Sequence, residues 1–267
     1  QLGTWRGAAQ TVTTDDGVDL YVEVDEPDPQ SADSAGPAMT VVLCHGFVLN
    51  LDSWYFQRRA LTKVARVVTW DMRSHGRSAR GPKETLSFER LAGDLRAVLD
   101  QVVPDGPVVL VGHSMGGMAV LTLDETSPEL FGDRIVGVGL VATSAGHLHQ
   151  VTIGVPGPVG RLVHRAAPGL LALLARQADL VERGRKAGSD IAFLLTRRYA
   201  FGSAVPASIV AFSSSMIDST PVDVVADFTP MFATYDSRDA LKPLFDLPVV
   251  VVGAGRDMLI PVEHSRA

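Results

Sequence analysis

The 267-residue chain contains one cysteine, Cys44. A lone thiol excludes an internal disulfide framework and a cysteine-rich metal site. No His-Glu-x-x-His spacing or clustered His/Asp set occurs, so no metal is expected. No stretch approaches the roughly 18 apolar residues of a membrane span. Basic residues form no footprint for phosphate: Arg183, Arg185 and Lys186 are too few and too scattered, and the formal net charge is -6. That balance argues against a nucleic-acid or anionic-membrane partner. Gly137-Val138-Gly139 lacks the third glycine and the strand-to-helix setting of a dinucleotide fingerprint, so no cofactor is implied. No internal repeat or low-complexity tract is evident. These exclusions point to the cytoplasm, although the chain opens on Gln1, which leaves an upstream leader, anchor or pro-segment open.

What is present is a hydrophobic content of 46%, enough for a large single core. Short Val-rich runs alternate with helical patterns, the signature of a mostly parallel sheet covered by helices on both faces. Residues 11 to 24 alternate around Asp15-Asp16-Gly17 and predict a hairpin. A Pro/Asp/Ser/Gly/Ala-rich loop over 26 to 38 precedes a buried strand at 40 to 44. Phe88, Leu91, Leu95, Val98, Leu99 and Val102 recur at helical spacing between Ser87 and Val103. Ile135 to Val141 reads as another buried strand. Cys44 and His45, neighbours at a strand end, point to opposite faces and make no nucleophile and base pair.

The chemistry-bearing motif is Gly112-His113-Ser114-Met115-Gly116, directly after the apolar run Pro107 to Val111. A strand, a sharp turn and a helix with serine at the apex is the G-x-S-x-G nucleophile elbow. A β-carbon at 112 or 116 would collide with neighbouring backbone as the chain reverses. The serine sits at a helix N-terminus, where free amides and the helix dipole stabilise a developing oxyanion. Met118, Ala119, Val120 and Leu123 then give the helix its apolar face before Pro128 closes it. Ser114 is therefore the candidate nucleophile.

Three further segments complete a resemblance to the α/β-hydrolase fold family, from about residue 10 to the last residue. Thr40 to Cys44 followed by His45-Gly46-Phe47 resembles its third strand and oxyanion loop. Val64 to Trp70 followed by Asp71-Met72-Arg73-Ser74-His75-Gly76-Arg77-Ser78 resembles its next strand and Gly-rich turn. Pro248 to Val252 followed by Gly253-Ala254-Gly255-Arg256-Asp257 resembles the strand that delivers the triad acid. The resemblance implies a serine, acid, histidine chain order, with backbone amides of Phe47 and Met115 as the oxyanion hole.

Asp257 matches the acid position, although a loop Asp capping the following turn would look the same. Asp236 and Asp239 are lesser alternatives because they precede the strand. The base departs from the family pattern. His264 lies only seven residues past Asp257 and reads as a solvated helix residue, so the base histidine is expected beyond Ala267. His75 reads as structural. His45, Trp54, His113 and His147 are candidates to line a substrate pocket, with a structural role equally open for Trp54; His147 and His149 could also supply the base.

Between the strand ending near Ala142 and that beginning near Pro248, strands disappear. Segments Leu162 to Ala178 and Asp190 to Tyr199 read as helices, resembling the family's helical cap. The expected division is 1–143 first core part, 144–236 cap and 237–267 second core part. Gly169 to Ala175 is apolar nearly all round, suiting either packing or an apolar tunnel. A serine at the elbow disfavours epoxide hydrolases and haloalkane dehalogenases, which need a carboxylate there. The expected activity is hydrolysis of a carboxylic ester, thioester or lactone on a small apolar or acyl-bearing substrate. Carbon–carbon bond hydrolysis, cofactor-free haloperoxidation and a non-catalytic ligand-binding role stay open, as does the oligomeric state.

Overall fold

The computed structural model describes residues 2–27, 39–146, 148 and 189–266. Its first elements are the expected hairpin, β1 (Ala8–Thr13) and β2 (Asp19–Asp25), with Val12 opposite Leu20. The turn closes because Gly17 takes a left-handed φ of 81°, which the missing β-carbon permits. The Val18 amide donates to the Thr14 hydroxyl at 3.0 Å.

The Val-rich runs form β3 (Thr40–Cys44), β4 (Arg66–Trp70), β5 (Val108–His113), β6 (Ile135–Val141) and β7 (Val249–Val252). The sheet order is β1-β2-β4-β3-β5-β6-β7, antiparallel at β1–β2 and β2–β4 and parallel elsewhere. Alternation along β3 divides the core. Val41 and Leu43 join a smaller cluster with Trp54 and Val67, while Val42 and Cys44 join a larger one with Val68, Trp70 and Leu110. Burial pushes the Cys44 thiol up to about 12.

Helices α1 (Tyr55–Leu61), α2 (Phe88–Val102) and α3 (Met115–Thr126) cover the sheet. Ser87 caps α2, its hydroxyl accepting from the Arg90 amide at 3.1 Å. Leu91, Leu95, Val98 and Leu99 are wholly buried, each stabilising the fold by roughly 2 kcal/mol. Beyond them lie α4 (Ser189–Tyr199), α5 (Ala207–Ser219) and α6 (Val222–Thr234), then the short α7 (Glu263–Arg266). The helix anticipated over Asp190 to Tyr199 is α4. That over Leu162 to Ala178 lies outside the described residues, as do His147 and His149. α5 and α6 meet at 88°, and no single helix among the described residues is long and apolar enough to cross a membrane.

Strand register aligns the functional rim. Cys44, Gly112, Leu140 and Val251 share one row across β3, β5, β6 and β7. The segments that follow these strands therefore emerge side by side. The connections run from β3 to β4 on one side and return to β5 on the other, which makes this rim the topological switch point where ligands bind in open α/β sheets.

α3 is buried from Met115 to Asp124, and Asp124 is 1% exposed with neither carboxylate oxygen hydrogen-bonded among the described residues. Burial, with neighbouring Glu125, raises its pKa to about 6. In the unfolded chain an aspartate ionises near 4 (roughly). The folded state thus holds the proton more tightly, and stability falls as pH rises from about 4 to about 6 and stays reduced above. Asp124→Asn removes the buried charge, so its Tm should exceed the parent's by several degrees at pH 8 and match it near pH 4. Equal melting at pH 8 would mean the carboxylate is solvated or paired in solution.

Candidate active site

β5 ends at His113 and α3 begins at Met115, so Ser114 alone makes the turn. Its φ of 49° and ψ of -117° lie outside the regions a side-chain-bearing residue ordinarily occupies. The flanking glycines are steric necessities. A β-carbon at Gly112 would stand 2.4 Å from the Gly117 nitrogen, and one at Gly116 would stand 2.3 Å from the Cys44 carbonyl oxygen. The half-buried Ser114 is held by its amide, which donates to the Val141 carbonyl at 3.0 Å. Its carbonyl accepts from the amides of Gly117 at 2.9 Å and Met118 at 3.1 Å.

The loop after β3 faces the elbow, and the turn after β4 organises it. Val48 carries φ 55°, a costly conformation for a β-branched residue. Its amide donates to His75 Nε2 at 3.3 Å, and the Leu51 amide donates to the Asp71 carboxylate at 2.7 Å. Asp71 also accepts from the Arg77 amide at 2.8 Å; burial still raises its pKa to about 6. Arg73, wholly buried, forks onto Asp94 with both contacts at 2.6 Å and ties the turn to α2.

The candidate histidines are placed differently from one another. His45 is wholly buried, its Nε2 accepting from the Met72 amide at 2.9 Å and its Nδ1 lying 2.8 Å from the Gly46 carbonyl. Both ring nitrogens are engaged by backbone, and burial lowers its pKa to about 3. His45 therefore braces the loop as a neutral ring, which corrects its reading as a pocket-lining residue. His75 is likewise structural, its Nδ1 3.0 Å from the Arg73 carbonyl and its pKa lowered by burial to about 4. His264 corrects another expectation. It is half-buried, with Nδ1 2.8 Å from the Ser144 hydroxyl, because α7 folds back onto the segment after β6.

His113 packs beside Ser114 against Gly46 and meets Trp54 edge-on at 6.4 Å. Burial lowers its pKa, opposed by the charge of Asp257. Asp257 follows β7, whose Val251 shares a strand row with Gly112, which sets it on the same rim as the elbow. Asp257 Oδ1 accepts from the amides of Leu259 at 2.8 Å and Ile260 at 2.9 Å. The carboxylate thus caps its own turn. Asp236 and Asp239 instead pair on the surface with Arg238 at 2.7 Å and Lys242 at 2.9 Å. Trp54 is packed into the smaller core cluster, which favours its structural role.

A family model for the alpha/beta hydrolase fold matches residues 40–267. The chain belongs to the α/β-hydrolase fold family. It is similar to the dihydrolipoyllysine-residue acetyltransferase component of the acetoin cleaving system of Cupriavidus necator, with 31% identity over 164 residues covering 61% of this chain and 42% of that protein. It is 32% identical over 111 residues to the esterase YbfF of Escherichia coli, covering 42% of each. The chain spans less than half the length of these curated relatives. A thermophilic esterase from Thermogutta terrifontis superposes with a TM-score of 0.70 at 22% identity, covering 97% of this chain and 85% of that one; this likeness carries the fold.

In this α/β-hydrolase chain, α6 packs over the loop after β3. Phe47 lies 6.0 Å from Phe228 and 5.3 Å from Phe232, and Phe228 meets His75 edge-on at 5.0 Å. Arg80, from the segment after β4, reaches across to Asp223 on α6. A cavity of about 150 Å³ lined by Ser87, Thr122, Glu125 and Tyr235 shares no residue with the elbow and lies along α3. Among the described residues no group of three His, Cys, Asp or Glu side chains is arranged to hold a metal ion. Reading the sequence singled out none of Thr143, Phe228 and Phe232. For Thr143 a signal existed in its place just beyond a strand that ends at the rim.

Proposed function

We propose that this α/β hydrolase is a serine hydrolase of carboxylic esters, thioesters or lactones, acting through an acyl-enzyme on Ser114. The observation that carries the reading is the positive-φ serine alone at the apex between β5 and the N-terminus of α3. Strain of that kind is maintained where a side chain must be presented to a ligand. The esterase among the relatives supports the same chemistry.

In this reading a histidine from outside the described residues takes the Ser114 proton as Oγ adds to the acyl carbon. The amides of Met115 and Phe47 receive the oxyanion. The histidine returns the proton to the leaving group, and water, deprotonated by the same base, releases the acid and restores Ser114. Asp257 orients the base. We assign residues 144–236 the role of a cap, with α6 and its phenylalanines closing an apolar, water-poor chamber for the acyl group. Acyl transfer on serine draws on no cofactor, and a small acyl-bearing substrate is the only partner it needs.

The test is a p-nitrophenyl ester series with the full-length protein. Each methylene buried under the roof contributes about 0.8 kcal/mol, so kcat/KM should rise about fourfold per carbon from acetate toward medium chains. A steep fall from acetate onward would replace the extended chamber with a small closed one. No turnover of any ester would sink the esterase reading and favour carbon–carbon cleavage, haloperoxidation or ligand binding.

A further inference from the structure

The geometry points to Thr143 as a positioning residue that aims the Met115 amide at the oxyanion, an inference that rests on reading Ser114 as the nucleophile. The Thr143 hydroxyl donates to the Ser114 carbonyl at 2.7 Å and is buried, with the residue 5% exposed. The other anchors of the Ser114 backbone are main-chain groups of Val141, Gly117 and Met118. Any sequence with this fold supplies those. Among the described residues only the Thr143 bond depends on a side chain.

That bond acts on the neighbouring amide through peptide planarity. The Ser114 C=O and the Met115 N–H belong to one trans peptide unit and point in opposite directions. Pinning the carbonyl therefore sets the direction of the N–H, the donor proposed to meet the oxyanion. A donor on the carbonyl oxygen also polarises the unit and strengthens its N–H as a donor. The effect belongs to the transition state, where the oxyanion exists, and not to substrate binding.

Two further features are built around this contact. Ala142, just before Thr143, takes φ 43° while its amide donates to the Val252 carbonyl at 2.7 Å. The chain is thus bent at the end of β6 in a region an alanine rarely adopts, directly opposite the strained Ser114. On the facing helix, a β-carbon at Gly117 would stand 2.6 Å from Thr143 Oγ1 and 2.7 Å from its Cβ and Cγ2. Gly117 has no positive φ to accommodate. Its glycine leaves room for the threonine, which gives the second residue of the Gly116-Gly117 pair a reason of its own.

The experiment compares Thr143→Val, Thr143→Ala and Thr143→Ser in the full-length protein by kcat and KM on p-nitrophenyl butyrate, by fluorophosphonate labelling of Ser114 and by Tm. Loosening, without removing, one oxyanion donor should lower kcat about 10- to 100-fold in the Val variant with KM within about twofold. The Ser variant, which keeps the hydroxyl, should stay within about threefold of the parent. If the Val variant does not fold, the Ala and Ser pair gives the same contrast. Equal kcat losses in Ser and Val variants would mean packing and overturn the inference. So would an unchanged kcat in the hydroxyl-free variants, or a change confined to KM, in a parent that labels at Ser114. A parent that does not label there overturns the nucleophile reading itself.

Discussion

Ser114→Ala is expected to lose ester turnover and fluorophosphonate labelling together, with kcat falling on the order of a millionfold and an unchanged fold. The residual rate would come from the oxyanion donors and from binding, which act on a water attack as well. The fold should survive because, among the described residues, the hydrogen bonds that hold Ser114 run through its backbone to Val141, Gly117, Met118 and Thr143. Substrate binding should be retained, since the hydroxyl enters the chemistry at the bond-forming step. Turnover that persists in Ser114→Ala would remove the nucleophile from this position and with it the acyl-enzyme.

Asp257→Asn should be the next most damaging change, lowering kcat about 10⁴-fold by leaving the base in the wrong tautomer and its cation unsupported. The substitution is a clean probe for a structural reason. Asn Oδ1 can accept from the Leu259 and Ile260 amides as Asp257 Oδ1 does, so the turn is kept while the charge is lost. Melting temperature should move little. Asp236→Asn and Asp239→Asn, each dissolving a surface pair with Arg238 or Lys242, should leave turnover near the parent's. The reverse pattern, with Asp257→Asn active and either of the others dead, would reassign the acid.

Local patterns carried the sheet. Val-rich runs, the Asp15-Asp16-Gly17 turn and the spacing from Phe88 to Val102 correspond to β3 to β7, the hairpin and α2. Periodicity suffices there because each element buries one face and the pattern records which. The same signal was uninformative for α1, α5 and α6, which sequence reading did not single out. α5 is mostly half-buried or exposed, so no clean apolar stripe marks it, and Pro230 interrupts α6.

The histidines show the sharper limit. His45, His75 and His264 look alike in sequence as chemistry-bearing residues near rim segments. Their uses depend on partners 27 residues away for the Met72 and Val48 amides and 120 residues away for Ser144. No local pattern encodes such a partner. Asp257 is intermediate: its strand-end position was legible, and so was the turn it caps, but the register that sets β7 in one row with the elbow strand was not.

The sequence by itself determined the strands, the hairpin, α2 and the elbow with Ser114 at its apex, because these rest on neighbours within a few residues; the Gly112 clash is likewise local, whereas the Gly116 clash is with the Cys44 carbonyl at the end of β3. Tertiary structure alone decided that the Thr143 hydroxyl meets the Ser114 carbonyl, that Phe228 and Phe232 close over Phe47, and that His45 is a brace. Those contacts arise from strand register and helix docking, which bring residues far apart in the chain within hydrogen-bonding or van der Waals range. Such contacts depend on the whole packed core and leave no trace in any one segment.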